Sequence, residues 1–236
     1  MASTSGTLEA GQVRAMFDRI AGVYDRMNRV MTAGLDRRWR TRAADLARVR
    51  PGDRVLDVAT GTGDLALELA DRVQPGGEVL GVDFAQAMLE RARVKAAGRA
   101  GVRFEPGDAL ALGYEDDAFD AATVAFGARN FSDLPRGLAE MARVVRPGGR
   151  VVILEITTPR RPPLSWFYGL WFDRIVPGLG RVAGAADAYG YLPSSVKRFP
   201  GPDELAAGMA GAGLEHIAYV LTAGGIIAIH VGEVAG

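Results

Sequence analysis

The stretch Asp57–Gly63, DVATGTG, follows the apolar residues Val55 and Leu56 and precedes the run DLALELADRV. A glycine-rich turn between a buried strand and a helix is where many α/β folds hold a nucleotide-containing cofactor. Gly61, Gly63 and Ala66 also match the dinucleotide fingerprint G-x-G-x-x-G/A. The turn therefore admits a dinucleotide or another adenosine-bearing ligand, and its surroundings must separate the two.

Working outward, the same rhythm repeats. RVLDVA, EVLGVDF, VRFEPGD, FDAATVAFG and RVVILEI read as strands, the last entered through the turn RPGG. DLALELADRV, AQAMLERARVKAA and DLPRGLAEMARVV read as the helices between them. This βαβ alternation predicts a parallel sheet with helices on both faces and right-handed crossovers. LEHIAYVLT and GIIAIHVG add two strands joined by AGG, a gap that suits a tight hairpin, so the last strand is expected to run antiparallel. The expected fold is α/β and Rossmann-like, with a seven-stranded, mostly parallel sheet. Residues 51–157 and 201–236 form its core.

Two segments stand outside the rhythm. Residues 1–50 read as a helical cap, because Val13, Met16, Phe17, Ile20, Tyr24, Met27 and Met31 recur at three-four spacing. Residues 158–200 hold six prolines and the aromatic run LSWFYGLWF, and read as a lid or substrate insertion. The whole is expected to be one domain.

Composition narrows the function. With 48% hydrophobic and 24% charged residues, the chain is an ordinary globular protein. The absence of cysteine excludes disulfides and thiolate metal sites, and His216 and His230 alone do not make a histidine site, so no metal is expected. The start lacks the basic and apolar regions of a secretory leader, so a cytoplasmic location is expected. Net charge is zero but uneven: residues 1–50 carry ten arginines against five acids. The excess there and in 160–198 suits either solvated helix faces or peripheral contact with the anionic inner face of a cell membrane. No extended basic and aromatic channel for nucleic acid is present.

Charge also separates the cofactors. A dinucleotide sets its pyrophosphate against the helix N-terminus. Here Asp57 precedes the turn and Asp64 opens the helix, and each carboxylate would repel a pyrophosphate by ~1 kcal/mol or more at short range. S-adenosylmethionine instead brings an ammonium and a sulfonium, which Asp57 suits, and one carboxylate for the amides near Gly61 to Gly63. Asp64 also reads as an N-cap. Asp83, ending the next strand, suits the ribose hydroxyls of either cofactor. Asp108, after the third strand, suits an adenine amino group or a turn. Three acids at successive strand ends favour the methyl donor.

These residues resemble class I S-adenosylmethionine-dependent methyltransferases. The closer resemblance is to the quinone C-methyltransferases of ubiquinone and menaquinone synthesis (UbiE/MenG type), from about Val13 to His230. MFDRIAGVYDRMNRVMTAGLDRRWR, FGARNFSD, YGYLPSSVKRFP and LTAGGIIAIHVG are similar to four of that family's signatures, in order. Departures are Ala59 for a glycine, Ala125 for a serine, EITTP for E-F-S-x-P and Ala223 within T-G-G. Carried over, the resemblance implies a cofactor site of Thr62, Asp83, Asp108 and Ala109, with Asp57, Gly61, Gly63 and Phe84 beside them. Met88 would pack on the adenine or simply fill the core.

The resemblance implies methyl transfer to a ring carbon of a demethylated prenylated quinol, most naturally demethylmenaquinol, with a ubiquinone-type benzoquinol or another lipid-like molecule as alternatives. A nicotinamide-dependent oxidoreductase and a non-catalytic module are the remaining rivals. Tyr24, Asp25, Arg129 and Asn130 are the expected acid-base and positioning residues. Arg129 stays protonated and would stabilise a ring oxygen or instead bridge to an acid; Asp25 would act as a base or pair within its helix. His230 reads first as structural. Leu164, Trp166, Phe167, Leu170, Trp171 and Phe172 would guide the lipid tail, pack on the body or serve a homodimer.

Overall fold

A computed structural model of the chain describes residues 10–159, 164–176, 178 and 186–236. One sheet carries seven strands in the order β3-β2-β1-β4-β5-β7-β6. They are β1 (Arg54–Val58), β2 (Glu78–Asp83), β3 (Val102–Pro106), β4 (Phe119–Ala125), β5 (Val145–Ile156), β6 (Leu214–Thr222) and β7 (Ile227–Val234). β1 to β5 pair in parallel, and β7 lies antiparallel between β5 and β6, as the hairpin reading expects. The strand order reverses at β1 and β4, and ligands in open α/β sheets sit in the crevice at that point.

The helices are α1 (Ala10–Ile20), α2 (Tyr24–Met31), α3 (Leu35–Ala47), α4 (Asp64–Val73), α5 (Gln86–Lys95), α6 (Leu134–Arg143), α7 (Leu164–Leu170), α8 (Ala186–Arg198) and α9 (Pro202–Gly211). Every β1 residue after Arg54 is buried, as a strand covered on both faces requires. Because strand side chains alternate, Val55 packs with Leu65, Leu69 and Leu89 of α4 and α5. Leu56 packs on the other face with Leu138 and Met141 of α6 and Leu205 and Met209 of α9. α6 starts cleanly: Asp133 accepts the Arg136 amide at 3.0 Å and Pro135 occupies the first turn.

Two expectations shift. The three-four spacing from Val13 to Met31 reads as one helix, yet the chain breaks between Ile20 and Tyr24. Gly22, a poor helix former, sits in the break, and the Val23 amide turns back to the Ile20 carbonyl at 2.9 Å. The bend lets Ile20 and Met27 face one apolar cluster with Tyr168, Tyr189, Leu192 and Val196. The amino-terminal cap and the insertion thus pack together. Arg146–Gly149, read as a turn, lies within β5 as a bulge, across which the register passes from Phe119↔Val145 to Ala121↔Arg150. The side chains of Leu164, Phe167 and Phe172 lie outside the described residues.

Phe104 of β3 explains two glycines. A Cβ on Gly63 (φ 83°) would meet the Phe104 ring at 2.8 Å, and one on Gly81 would meet it at 2.6 Å and the Thr60 hydroxyl at 2.8 Å. Side-chain packing from below therefore requires Gly63 and Gly81, while the space beside Gly61 is open. Gly81→Ala is expected to destabilise the fold by about 1–3 kcal/mol, the usual cost of overpacking. Denaturant unfolding checks this; wild-type stability would show that Phe104 does not hold the loop.

Candidate active site

The turn after β1 is held by side chains as well as by its glycines. The Asp83 carboxylate accepts the Gly61 amide through Oδ2 and the Ala85 amide through Oδ1, both at 2.8 Å. Asp57 accepts the Thr60 hydroxyl at 2.6 Å and the Thr123 hydroxyl of the adjacent β4 at 2.7 Å. Burial pushes both carboxyls up to about 6, against the pull of these donors. Two buried acids with raised proton affinity at the sheet's switch point form a site prepared for positive charge.

A cavity of about 550 Å³ opens above them. Asp57, Gly61, Thr62, Asp83, Phe84, Met88, Asp108 and Ala109 all line it. Gly63 stays beneath the turn, as the N-cap of α4, against Phe104. Asp64 is therefore not the N-cap. It sits in the first turn, where its charge favours the helix N-terminus, and it pairs with Lys95 and, at 3.8 Å, with Arg40. Asp108 accepts the Leu110 amide at 2.9 Å, so it is both a turn aspartate and a cavity residue. Met88 likewise combines the two expected roles, being 1% exposed in the core and present in the wall. The lining fits S-adenosylmethionine through acids for the cationic methionine end and apolar walls for adenine, whereas the Gly61 and Gly63 amides expected to take its carboxylate donate instead to Asp83 and the Thr60 carbonyl.

A second cavity, about 340 Å³, adjoins the first. Phe17, Tyr24, Arg40, Phe126 and Asn130 line both. Phe126 is the partition. Its backbone is held at φ 60°, a costly conformation for an aromatic residue that tends to persist at functional sites. Arg40 lies over its ring at 5.5 Å, and Trp39 meets it edge-on at 6.5 Å. Met16, Ile20, Trp171, Leu192 and Ile226 give the second cavity largely apolar walls, with Asn28, Thr32, Asp36 and Ser195 among its polar members.

The expected catalytic residues separate into two groups. Tyr24, Arg129 and Asn130 reach the second cavity. Asp25 does not: its carboxylate takes the Thr62 hydroxyl at 2.6 Å and Lys95 at 3.0 Å, so a clamp on the cofactor turn replaces the expected base. Arg129 takes the expected ion pair, to Glu155 at 2.8 Å, where Glu155 is 1% exposed. Its Nη1 also donates to the Phe126 carbonyl, which leaves Nε buried without a partner among the described residues. Asn130 Oδ1 is equally buried and unpaired. His230 is structural: Nε2 meets the Pro202 carbonyl at 2.9 Å, burial lowers its proton affinity, and it lines neither cavity. Reasoning on strand ends misses Arg40 and Tyr189. Arg40 stands next to Trp39 in an amino-terminal signature, and Tyr189, Leu192 and Val196 follow helical spacing, the only signal that marks an inward face.

Comparison with known proteins shows the family to which the chain belongs. Residues 5–234 match the ubiE/COQ5 methyltransferase family. The chain is 50% identical to the demethylmenaquinone methyltransferase of Thermus thermophilus, over 92% of this chain and 99% of that protein. It is 44% identical to the ubiquinone/menaquinone biosynthesis C-methyltransferase UbiE of Geobacter sulfurreducens, over 96% and 90% of the two chains. In fold it resembles a possible histamine N-methyltransferase from Thermotoga maritima, with a TM-score of 0.65 at 20% identity over 93% and 98% of the chains. A Rossmann-like sheet, a cavity suited to S-adenosylmethionine and the match over nearly its whole length make this chain a member of the ubiE/COQ5 family of S-adenosylmethionine-dependent C-methyltransferases.

Proposed function

We propose that this enzyme methylates a ring carbon of a demethylated prenylated quinol, with demethylmenaquinol as its first substrate. The observation that carries the reading is the second cavity: apolar, joined to the cofactor cavity at Phe126 and Asn130, and furnished with few polar atoms. An aromatic ring with a lipid tail suits such walls, and its ring oxygens suit the unpaired Arg129 Nε and Asn130 Oδ1.

S-adenosylmethionine supplies the electrophilic methyl group. The chain's residues hold the ring beside it and stabilise charge. Arg129 Nε would donate to a ring oxygen that carries developing negative charge, which feeds electron density to the ring carbon; as the C–CH3 bond forms the S–CH3 bond breaks, leaving S-adenosylhomocysteine, and the ring carbon gives up its proton to solvent. Asn130 orients the other ring oxygen. Alignment of this kind contributes roughly 7–11 kcal/mol at best. Glu155 keeps Arg129 fixed, so Arg129→Ala would strand a buried carboxylate at a cost of about 3–5 kcal/mol and confuse folding with catalysis. Arg129→Lys keeps the charge and removes the fork.

The deciding experiment incubates the protein with S-adenosylmethionine and short-chain demethylated quinols, followed by mass spectrometry. A gain of one methyl on the naphthoquinol, cut at least tenfold in Arg129→Lys with S-adenosylhomocysteine affinity retained, is expected. Methylation of the benzoquinol alone would move the substrate to the ubiquinone type; methylation of neither would refute the quinol reading.

Asp57 and Asp83 set a pH dependence. Both must be ionised to meet an ammonium or ribose hydroxyls, and both stand near 6 in the free protein. Affinity for S-adenosylhomocysteine should therefore rise several-fold from pH 5 to pH 7.5. Calorimetry across that range tests it, and a flat profile would remove both acids from the binding site.

The insertion supports a peripheral contact with lipid. Trp166, Leu170 and Ile175 are 75%, 51% and 37% exposed, and Arg174 is exposed among them. The same segment reaches the second cavity through Trp171 and Val176. Among the described residues no helix is long and apolar enough to cross a membrane. Co-sedimentation with anionic liposomes at low salt, weakened by Trp166→Ser, is the expected result; equal recovery in the supernatant with and without liposomes would dismiss the contact.

A further inference from the structure

Among the described residues that line the second cavity, Tyr189 on α8 carries the one unpaired buried polar atom that the proposed chemistry leaves unused. It is 4% exposed, it lines the apolar cavity, and its hydroxyl has no hydrogen-bond partner among the described residues. A buried hydroxyl without a partner is a standing cost to the fold, and phenylalanine would fill the same space without it. Arg129 Nε and Asn130 Oδ1 are unpaired and buried in the wall of the same cavity, and they come from a different element, the turn after β4. Three unsatisfied polar atoms thus belong to residues that line one largely apolar space, contributed by two parts of the chain. Two of them are donors or acceptors of fixed sense, since Arg129 Nε can only donate and an amide oxygen can only accept.

We propose that Tyr189 hydrogen-bonds one of the two ring oxygens of the substrate and completes, with Arg129 and Asn130, a site that recognises a 1,4-dihydroxy aromatic ring. The inference rests on the quinol reading above and deepens it. Tyr189 acts as a donor, because burial and the neighbouring Tyr24 push its phenol above its ordinary range and keep it protonated. With the Arg129 guanidinium also donating, the site can serve a ring oxygen that becomes negative, while Asn130 Oδ1 accepts from the oxygen that keeps its proton. A ring lacking one oxygen would leave one of these groups buried and unpaired, which is how a polar site rejects an analogue.

The test is a cycle between Tyr189→Phe and the ligand. Binding is followed by quenching of tryptophan emission, which Trp39 and Trp171 in the cavity wall make sensitive to occupancy. The probes are a short-chain 2-prenyl-1,4-naphthoquinol and its two monohydroxy analogues, each lacking one ring oxygen. Wild type should bind the quinol about tenfold or more tightly than either analogue. Tyr189→Phe should bind the quinol and one analogue equally, keep its discrimination against the other, and lower kcat/KM at least tenfold. Its affinity for S-adenosylhomocysteine should stay within twofold. Its melting temperature without ligand should equal or exceed that of wild type, because the substitution removes an unpaired hydroxyl; a purely structural tyrosine would give the opposite. Tyr189→Phe that retains full discrimination against both analogues, or that melts lower and loses cofactor affinity, overturns the inference alone. A wild-type protein that neither binds nor methylates the quinol overturns the substrate reading and this inference with it.

Discussion

The Asp83 carboxylate accepts two backbone amides at once, those of Gly61 and Ala85, and the architecture of the site depends on that bond pair. One amide belongs to the turn after β1 and the other to the start of α5, so a single side chain ties the ends of two parallel strands together. Asp57 does the same between β1 and β4 through Thr60 and Thr123. A buried carboxylate held by neutral donors is costly, since a charge leaves water and gains only dipoles in return. The raised proton affinity of both acids expresses that cost. Their ordinary value is 3.8, so between about 4 and 6 the folded protein binds more protons than the unfolded chain. Stability of the free protein falls as pH rises through that window. On the proposed reading a cation beside Asp57 would lower its carboxyl toward the ordinary value, so part of the cost of burying that charge would return as binding energy. A pyrophosphate would deepen that cost, which is the structural reason a dinucleotide does not belong here.

The roof of the site makes the two cavities one mechanical unit. Asp18 of α1 accepts the Ala87 amide at 2.9 Å, and Asp25 of α2 holds Thr62 and Lys95. Arg40 of α3 pairs with Asp36 and reaches toward Asp64, and lines both cavities. The cap helices therefore bond in turn to α5, to the turn after β1 and to α4, while residues of α1, α2, α3 and α8 line the second cavity. These ion pairs are partly exposed and weak one by one. Their role is alignment: the cap cannot shift over one cavity without disturbing the other.

The fold was legible because its signals are local. The period of apolar residues, the glycine turn and the AGG hairpin are each contained in a few residues, and β1 to β7 follow from them. The acids at the strand ends were legible for the same reason, since a strand end is a position in the sequence. What escaped was long-range pairing. Arg129 meets Glu155, Asp25 meets Thr62 and Lys95, and no spacing rule links residues 26, 37 and 70 positions apart. Gly63 matches a cofactor fingerprint, yet its neighbour is Phe104, brought from β3 by the sheet. Tyr189 lies in a signature segment, but a sequence does not show that a hydroxyl lacks a partner.

Unsatisfied groups carry more information about this site than satisfied ones. Among the described residues four buried side-chain polar atoms lack partners: Arg129 Nε, Asn130 Oδ1, Tyr189 OH and His230 Nδ1. The residues of the first three line the second cavity; His230 lies off it, in β7, and its other nitrogen is already used by Pro202. Chance would scatter such atoms through a core in which hydrogen-bonding groups are nearly always paired. Their concentration at one apolar cavity, beside the strained backbone of Phe126, fits a site whose hydrogen bonds are completed only by its ligand. The fold bears that cost in the free state, and on the reading proposed above the same unpaired atoms would let a largely apolar cavity distinguish a dihydroxy ring from any other apolar molecule of its size.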